Sequence, residues 1–404
     1  MICCTECFKD LEIKASIESL NHKGTCPLCG AKETWIYDSD SDLGDSDFEE
    51  LLISIIEIYN PEDELDDNFP DSAKLNIEQH IKNDWNIFNV DLSGIRIIVE
   101  NLIATSMDLD ERLLSQKVGI SNLYDEDYLE QNSILGKYQW DDFKKYLRNE
   151  NRFHARYINL EILAEVLQDT VSIVPQGTKL YRARVAKDEK GYNTGEMGAP
   201  PDDIASAGRA NSKGISCLYL ANKRKTTIKE IRAGAFDFVT IATFKVRRDV
   251  KVVDLSVITH NSPFYAATDK VKFLINEKHL RNIEKDLAKP VSKRDSDLDY
   301  LPTQYISDFA KYLGYDGVKY ISTFDKDSYN VALFDAKTCS CTYKRNYLIG
   351  DFKENTQYGI KGKTRNIDFS NQRKYKVANL DEVQLGKAQI ILQNKQNQCV
   401  KYDI

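Results

Sequence analysis

The stretch "GRANSKGISCLYLANKRKTTIKEI", residues 208–231, changes character twice. It opens rich in turn formers, passes into the apolar run "SCLYLA", and ends helix-like over 222–233. The same mixture continues on both sides. "TKLYRARVA", "FDFVTIATFKV", "VKVVDLS", "GVKYIS" and "YNVALFD" read as strands, with helix-like pieces between them, including 301–313. Strands with single helical insertions and no regular βαβ repeat predict an α+β domain with a mixed or antiparallel sheet, over residues 170–345. The quoted stretch also sets Arg209 in a turn, Tyr219 in a strand and Glu230 in the following helix.

Upstream the pattern is helical. "FEELLISIIEIY", "NIEQHIKNDWNIF" and "LSGIRIIVENLIATSM" cluster apolar residues at helical spacing, with Pro61 and Pro70 as breaks. In "QWDDFKKYLRNENRF", Trp140, Phe143 and Leu147 form one stripe, and 160–167 is a further short helix. An all-α domain of about five helices is expected over 38–168, entered through the acidic "DSDSDLGDSDFEE". The tail, 346–404, is polar apart from a strand-like "AQIILQ", and no role is assigned to it.

Five of the nine cysteines fall in the first thirty residues. Cys4-x-x-Cys7 and Cys26-x-x-Cys29 are two knuckles separated by eighteen residues, a spacing at which thiolate pairs complete a tetrahedral zinc site. Cys3 in place of Cys4, or an intruding His22, are the alternatives. Gly24 and Gly30 supply permissive backbone for the turns. Four thiolates leave no open position, so the metal is expected to be structural, in a zinc ribbon spanning 1–37.

Composition limits the function classes. The chain has 404 residues, 42% apolar and 29% charged, with a net charge of −8. Such a balance argues against holding nucleic acid by bulk electrostatics. There is no apolar run of about 18 residues, so no membrane span is expected. The opening "MICCTECFKD" is unlike a secretory leader, and a cytoplasmic protein with reduced thiols is expected. Arg182 and Arg184 alternate onto one face of their strand, and Ser322 closes "GVKYIS". No histidine lies near a serine or cysteine in a fitting motif, and no phosphate-cradling glycine loop with lysine is present.

"TKLYRARV", "MGAPPDDIASAGRANSKGISCLYLA" with Glu230 in the next helix, and "YLPTQYISDFAKYLGYDGVKYIST" together resemble the RES domain. The pattern Gly208-Arg209-x-Asn211-x-x-Gly214 followed by Tyr219 and Glu230 carries most of the likeness. The region before it resembles the zinc-bearing helical HEPN/RES N-terminal region. Ala210 departs from the family, many members of which have tryptophan there. The resemblance implies an ADP-ribosyltransferase-like fold and destruction of NAD by cleavage of its nicotinamide–ribose bond. On that basis Glu230 steadies an oxocarbenium-like ribosyl centre. Arg182 and Arg209, with Arg184, bind the pyrophosphate. Tyr219 and Ser322 face the nicotinamide or its ribose, and Asn211 joins the binding set. The resemblance further implies a toxin or defence effector with a protein antitoxin or regulatory partner. A homo-oligomer is left open, as is the acceptor: water, phosphate or a macromolecule.

Two other classes stand beside it. Arg148 and His154, five residues between them in "RNENRFH", fit the loose spacing of HEPN ribonucleases. A non-enzymatic sensor would bind the nucleotide without turnover.

Overall fold

The computed structural model describes residues 1–40, 47–234, 236–256, 262–264, 269–289 and 296–349, and strand segments at 376–378, 390–393 and 399–402. Part of the acidic entry segment and most of the tail therefore lie outside the described residues. The chain forms two compact units. One comprises Met1–Phe143, Ala155–Leu163 and Val257–Arg281; the other comprises Lys144–His154, Ala164–Ser256 and Asn282–Ile404.

In the first unit, β1 (Ile2–Cys4), β2 (Lys23–Gly24) and β3 (Thr34–Asp38) make an antiparallel sheet in the order β1-β3-β2. Helix α1 (Leu11–Ser19) starts at Asp10, whose carboxylate accepts from the N–H groups of Glu12 and Ile13. The helical part runs α2 (Asp47–Ile56), β4 (Asn60–Pro61), α3 (Ile77–Asp84), α4 (Leu92–Thr105), α5 (Arg112–Ser115), β5 (Val118–Gly119) and α6 (Glu126–Asn132). Next along the chain come α7 (Trp140–Asn149) and α8 (Leu160–Asp169), only the first residues of which belong to this unit. Helices thus outnumber the five expected, because α5 and α6 are too short to show periodicity. Ile95, Ile98, Val99, Leu102 and Ile103 give α4 one buried stripe. The cysteine module has no core of its own: Cys7, Phe8, Ile13 and Ile17 share one with Phe48, Leu52 and Ile55. Phe8 packs edge-on to Phe48 at 5.6 Å between centroids.

The second unit is built on β6 (Val171–Val174), β7 (Lys179–Ala186), β8 (Leu218–Ala221), β9 (Phe238–Val246), β10 (Val250–Asp254), β11 (Gly317–Ser322), β12 (Asp325–Leu333), β13 (Cys339–Ile349) and β14 (Lys376–Ala378). They form one sheet in the order β14-β13-β9-β7-β8-β12-β11-β10-β6. Pairs β10–β11 and β13–β14 are parallel and the others antiparallel, so the sheet is mixed, as expected. Strands β15 (Ile390–Gln393) and β16 (Cys399–Tyr402) pair separately, the first covering most of "AQIILQ". Helices α9 (Arg224–Glu230) and α11 (Leu301–Tyr312) lie in this unit; α10 is Lys270–Ala288. Alternation along β9 sends Ala242, Phe244 and Val246 into one core and Val239 and Ile241 into another. Leu180, Leu218 and Val331 join the first core; Ala183 and Ile228 join the second. Among the described residues no helix is long and apolar enough to cross a membrane.

Candidate functional site

Period-two geometry selects what the middle of the sheet shows on the α9 side. Tyr181 pairs with Ala221, Ala221 with Asn330, and Asn330 with Tyr320, so these four stand in a row across β7, β8, β12 and β11. Helix α9 borders that row with Thr227 and Glu230, as does Ile231 just after it, and the cleft between them, also bordered by Tyr219, has a volume of about 240 Å³.

Glu230 is the last residue of α9 and is solvent-exposed at the cleft. Its Oε1 accepts from Ser322 Oγ at 2.9 Å and from Asn330 Nδ2 at 2.8 Å. Ser322 is buried at the end of β11, where the register with β12 shifts, and its Oγ also accepts from the Phe324 N–H at 3.3 Å. The neighbouring strand is tied to the start of α9. Asn222 Oδ1 accepts from Ser328 Oγ and the Tyr329 N–H, and Thr226 Oγ1 lies 2.7 Å from Ser328 Oγ. The carboxylate is therefore fixed through the backbone as well as directly. Burial, then the charge of Glu230, raises the Tyr320 phenol well above its ordinary range, so that ring is neutral.

The other residues singled out in the sequence divide. Tyr219 borders the cleft, while its hydroxyl points to the turn: it donates to Asn211 Oδ1 at 2.7 Å and accepts from the Ala210 N–H at 2.9 Å. Asn211 donates to the carbonyls of Ser206, Ser212 and Ile215, a role inside the turn and not in the cleft lining. Gly208 is needed there, since a Cβ would sit 2.6 Å from both Tyr219 Oη and Asn211 Oδ1. Gln304 of α11 clamps the same turn, donating to the carbonyls of Gly208 and Asn211 at 2.8 and 2.9 Å.

The three arginines do not converge on the cleft with their guanidinium groups. Arg209 is buried, donates to the Asp286 carbonyl at 3.0 Å, and stands over the Tyr300 ring at 4.9 Å. Arg182 borders the cleft between Tyr181 and Ala183, but alternation turns its side chain to the other face. There it donates to the carbonyls of Met197 and Gly198. Burial, then the charge of Arg184, pulls its pKa down to about 10. Arg184 donates to the Glu196 carbonyl and lies over Tyr192 at 4.1 Å. Sequence reasoning missed Asn330, Tyr181, Tyr320 and Thr227; their strand register and helix spacing were the available signal.

In the first unit the four thiols named from the sequence come together. The sulfurs of Cys4, Cys7, Cys26 and Cys29 all lie within 4.8 Å of one another, a group that can hold a metal ion. Cys4–Cys29, Cys7–Cys26 and Cys4–Cys7 are 3.4, 3.6 and 3.8 Å apart. A tetrahedral ion with sulfur at about 2.3 Å needs edges of about 3.8 Å, so the donor set fits. Cys3 and His22 are outside the group. Gly30, at φ +79°, lets the second knuckle turn, and its N–H donates to the Cys26 carbonyl at 2.9 Å.

Arg148 and His154 have other engagements: Arg148 pairs with Asp299, and His154 is exposed, with its carbonyl accepting from Tyr146 Oη at 3.2 Å.

Comparisons with known proteins bear on the second unit. The model of the RES domain matches residues 179–348. That of the SpoIVB peptidase S55 matches residues 335–404. This second range contains no histidine, so it supplies no imidazole base for a serine. No curated protein matches. Among solved structures, a chain of the M. tuberculosis MbcT-MbcA toxin-antitoxin complex is similar at 14% identity, over 46% of this chain and 91% of that one, with a TM-score of 0.30. From β7 to the penultimate residue of β13, the mixed sheet and the cleft that it carries are a RES domain.

Proposed function

We propose that the RES domain binds NAD with its nicotinamide–ribose end in the α9 cleft and cleaves the bond between them. Glycohydrolysis yields nicotinamide and ADP-ribose; with phosphate as acceptor the second product is ADP-ribose phosphate. The observation that carries the reading is Glu230, a solvent-accessible carboxylate held on one oxygen by Ser322 and Asn330 beside a cleft walled by tyrosines. As the C–N bond breaks, its electron pair leaves with the nicotinamide, and positive charge grows on the ribose. A fixed carboxylate stabilises that charge without having to reorganise. Nicotinamide departs as a neutral molecule, so no general acid is required, and the neutral phenols of Tyr219 and Tyr320 are suited to lining a ring, not to moving a proton. At about 240 Å³ the cleft is just below the usual range for small-molecule sites, about 300–1,000 Å³. It suits one end of a dinucleotide.

In this reading the four-thiol group holds a structural zinc ion, which ties β1 and the knuckles to the helical core. Unrestrained loss of NAD is toxic to a cell, so the proposal makes the protein a toxin or defence effector with a restraining protein partner. The test is chromatography for free nicotinamide after incubation of the purified protein with NAD. Release that requires Glu230 supports the reading. Tight NAD binding with no product points instead to a sensor.

A further inference from the structure

The three arginines expected to hold the pyrophosphate have their guanidinium groups on backbone carbonyls, two of them on the far face of β7. A fourth stands beside a residue of the cleft lining, without lining the cleft itself. Arg224, exposed at the first position of α9, stands over the ring of Tyr181 at 5.2 Å, and Tyr181 lines the cleft. Residues 224, 227 and 230 recur every third position, which runs them as one row along the flank of α9. Thr227 and Glu230 of that row line the cleft. At 1.5 Å rise per residue, Arg224 and Glu230 start about 9 Å apart along the helix. That separation suits a carboxylate at the ribosyl carbon and a guanidinium at the phosphates beyond it.

Lys223, next to Arg224, is already paired with Asp325 at 3.2 Å. The contact with the Tyr181 ring keeps the Arg224 guanidinium beside the cleft wall, and a guanidinium binds an anion by a fork.

Resting on the reading above, we infer that Arg224 binds the pyrophosphate of the dinucleotide and so selects phosphorylated over unphosphorylated nicotinamide ribosides. The experiment measures steady-state nicotinamide release from NAD and from nicotinamide riboside by wild type, Arg224→Met and Arg224→Lys. Losing a charge-assisted hydrogen bond raises KM for NAD by about 10- to 100-fold in Arg224→Met, with kcat within about threefold. KM for the riboside stays at the wild-type value. Arg224→Lys recovers part of the loss, since it keeps the charge without the fork. The inference is overturned if Arg224→Met leaves KM for NAD unchanged, or raises KM for both substrates alike, as a merely structural role would. Wild type that releases nicotinamide from neither substrate overturns the functional reading itself, and this inference with it.

Discussion

Glu230→Gln isolates the charge from the shape. The amide oxygen of glutamine can accept from Ser322 and Asn330 at the same 2.9 and 2.8 Å, so the side chain keeps its place while its negative charge is removed. Unit charges about 4 Å apart attract by about 4 kcal/mol at an effective dielectric of about 20, and by about 1 kcal/mol in bulk water. Glu230 is exposed, so its field lies between these limits. A loss of about 2–3 kcal/mol from the transition state follows, or roughly 30- to 150-fold in rate at 1.36 kcal/mol per decade. Removal of one preorganised electrostatic group elsewhere costs about 100-fold or more. The assay is nicotinamide release at saturating NAD, wild type against Glu230→Gln, with thermal melting of both. The variant should melt with the wild type and turn over about 100-fold more slowly. A folded variant within threefold of wild-type kcat would refute an electrostatic role for this carboxylate.

Three further outcomes test other parts of the molecule. Cys7→Ser breaks the four-thiol group, whose core is shared with α1 and α2, so the whole first unit should melt at lower temperature and show less zinc by elemental analysis. Gly208→Ala pushes a methyl group against Tyr219 Oη and Asn211 Oδ1; overpacking costs about 1–3 kcal/mol, which calorimetry would read as a lower Tm. Burial, then the charge of Lys278, lowers the pKa of His279 to about 4, against about 6.5 in an unfolded chain. Between those values the unfolded state binds the proton that the folded state refuses. Stability is therefore fully present above about pH 6.5 and falls as pH drops toward 4, by up to ~3 kcal/mol. Urea melts of wild type and His279→Gln at pH 7 and pH 5 should show that slope in wild type and a weaker one in the variant.

What the sequence made legible follows from which signals are local. The cysteine knuckles and the apolar strands β7, β8, β9, β11 and β12 announce themselves by spacing, composition and alternation. Helix α10 does not, although Val271, Ile275, Ile283 and Leu287 are buried at spacings that are multiples of four. Its other positions are mostly charged, so average polarity masks the stripe. Strand β13 was missed for the same reason: "CSCTYKRNYLI" exposes much of its polar surface and is defined by its long ladder with β9. That ladder is a contact between segments far apart in the chain, which no local window contains.

The site divides along the same line. Glu230 and Ser322 could be named from a motif, but Asn330 reaches the carboxylate only because β12 lies between β8 and β11. The Gly208–Arg209 pair shows the converse. A motif gives residue identity without direction, and here the direction is inward: Arg209 anchors the turn to the Asp286 carbonyl and Tyr300, while Tyr219 and Gln304 hold the backbone on either side. The turn that the motif encodes is thus a brace for the strand carrying Tyr219 past the cleft. A guanidinium over Tyr181, a residue of the cleft lining, lies on the helix instead, where a run of basic residues gave no sign of which one turns toward that ring.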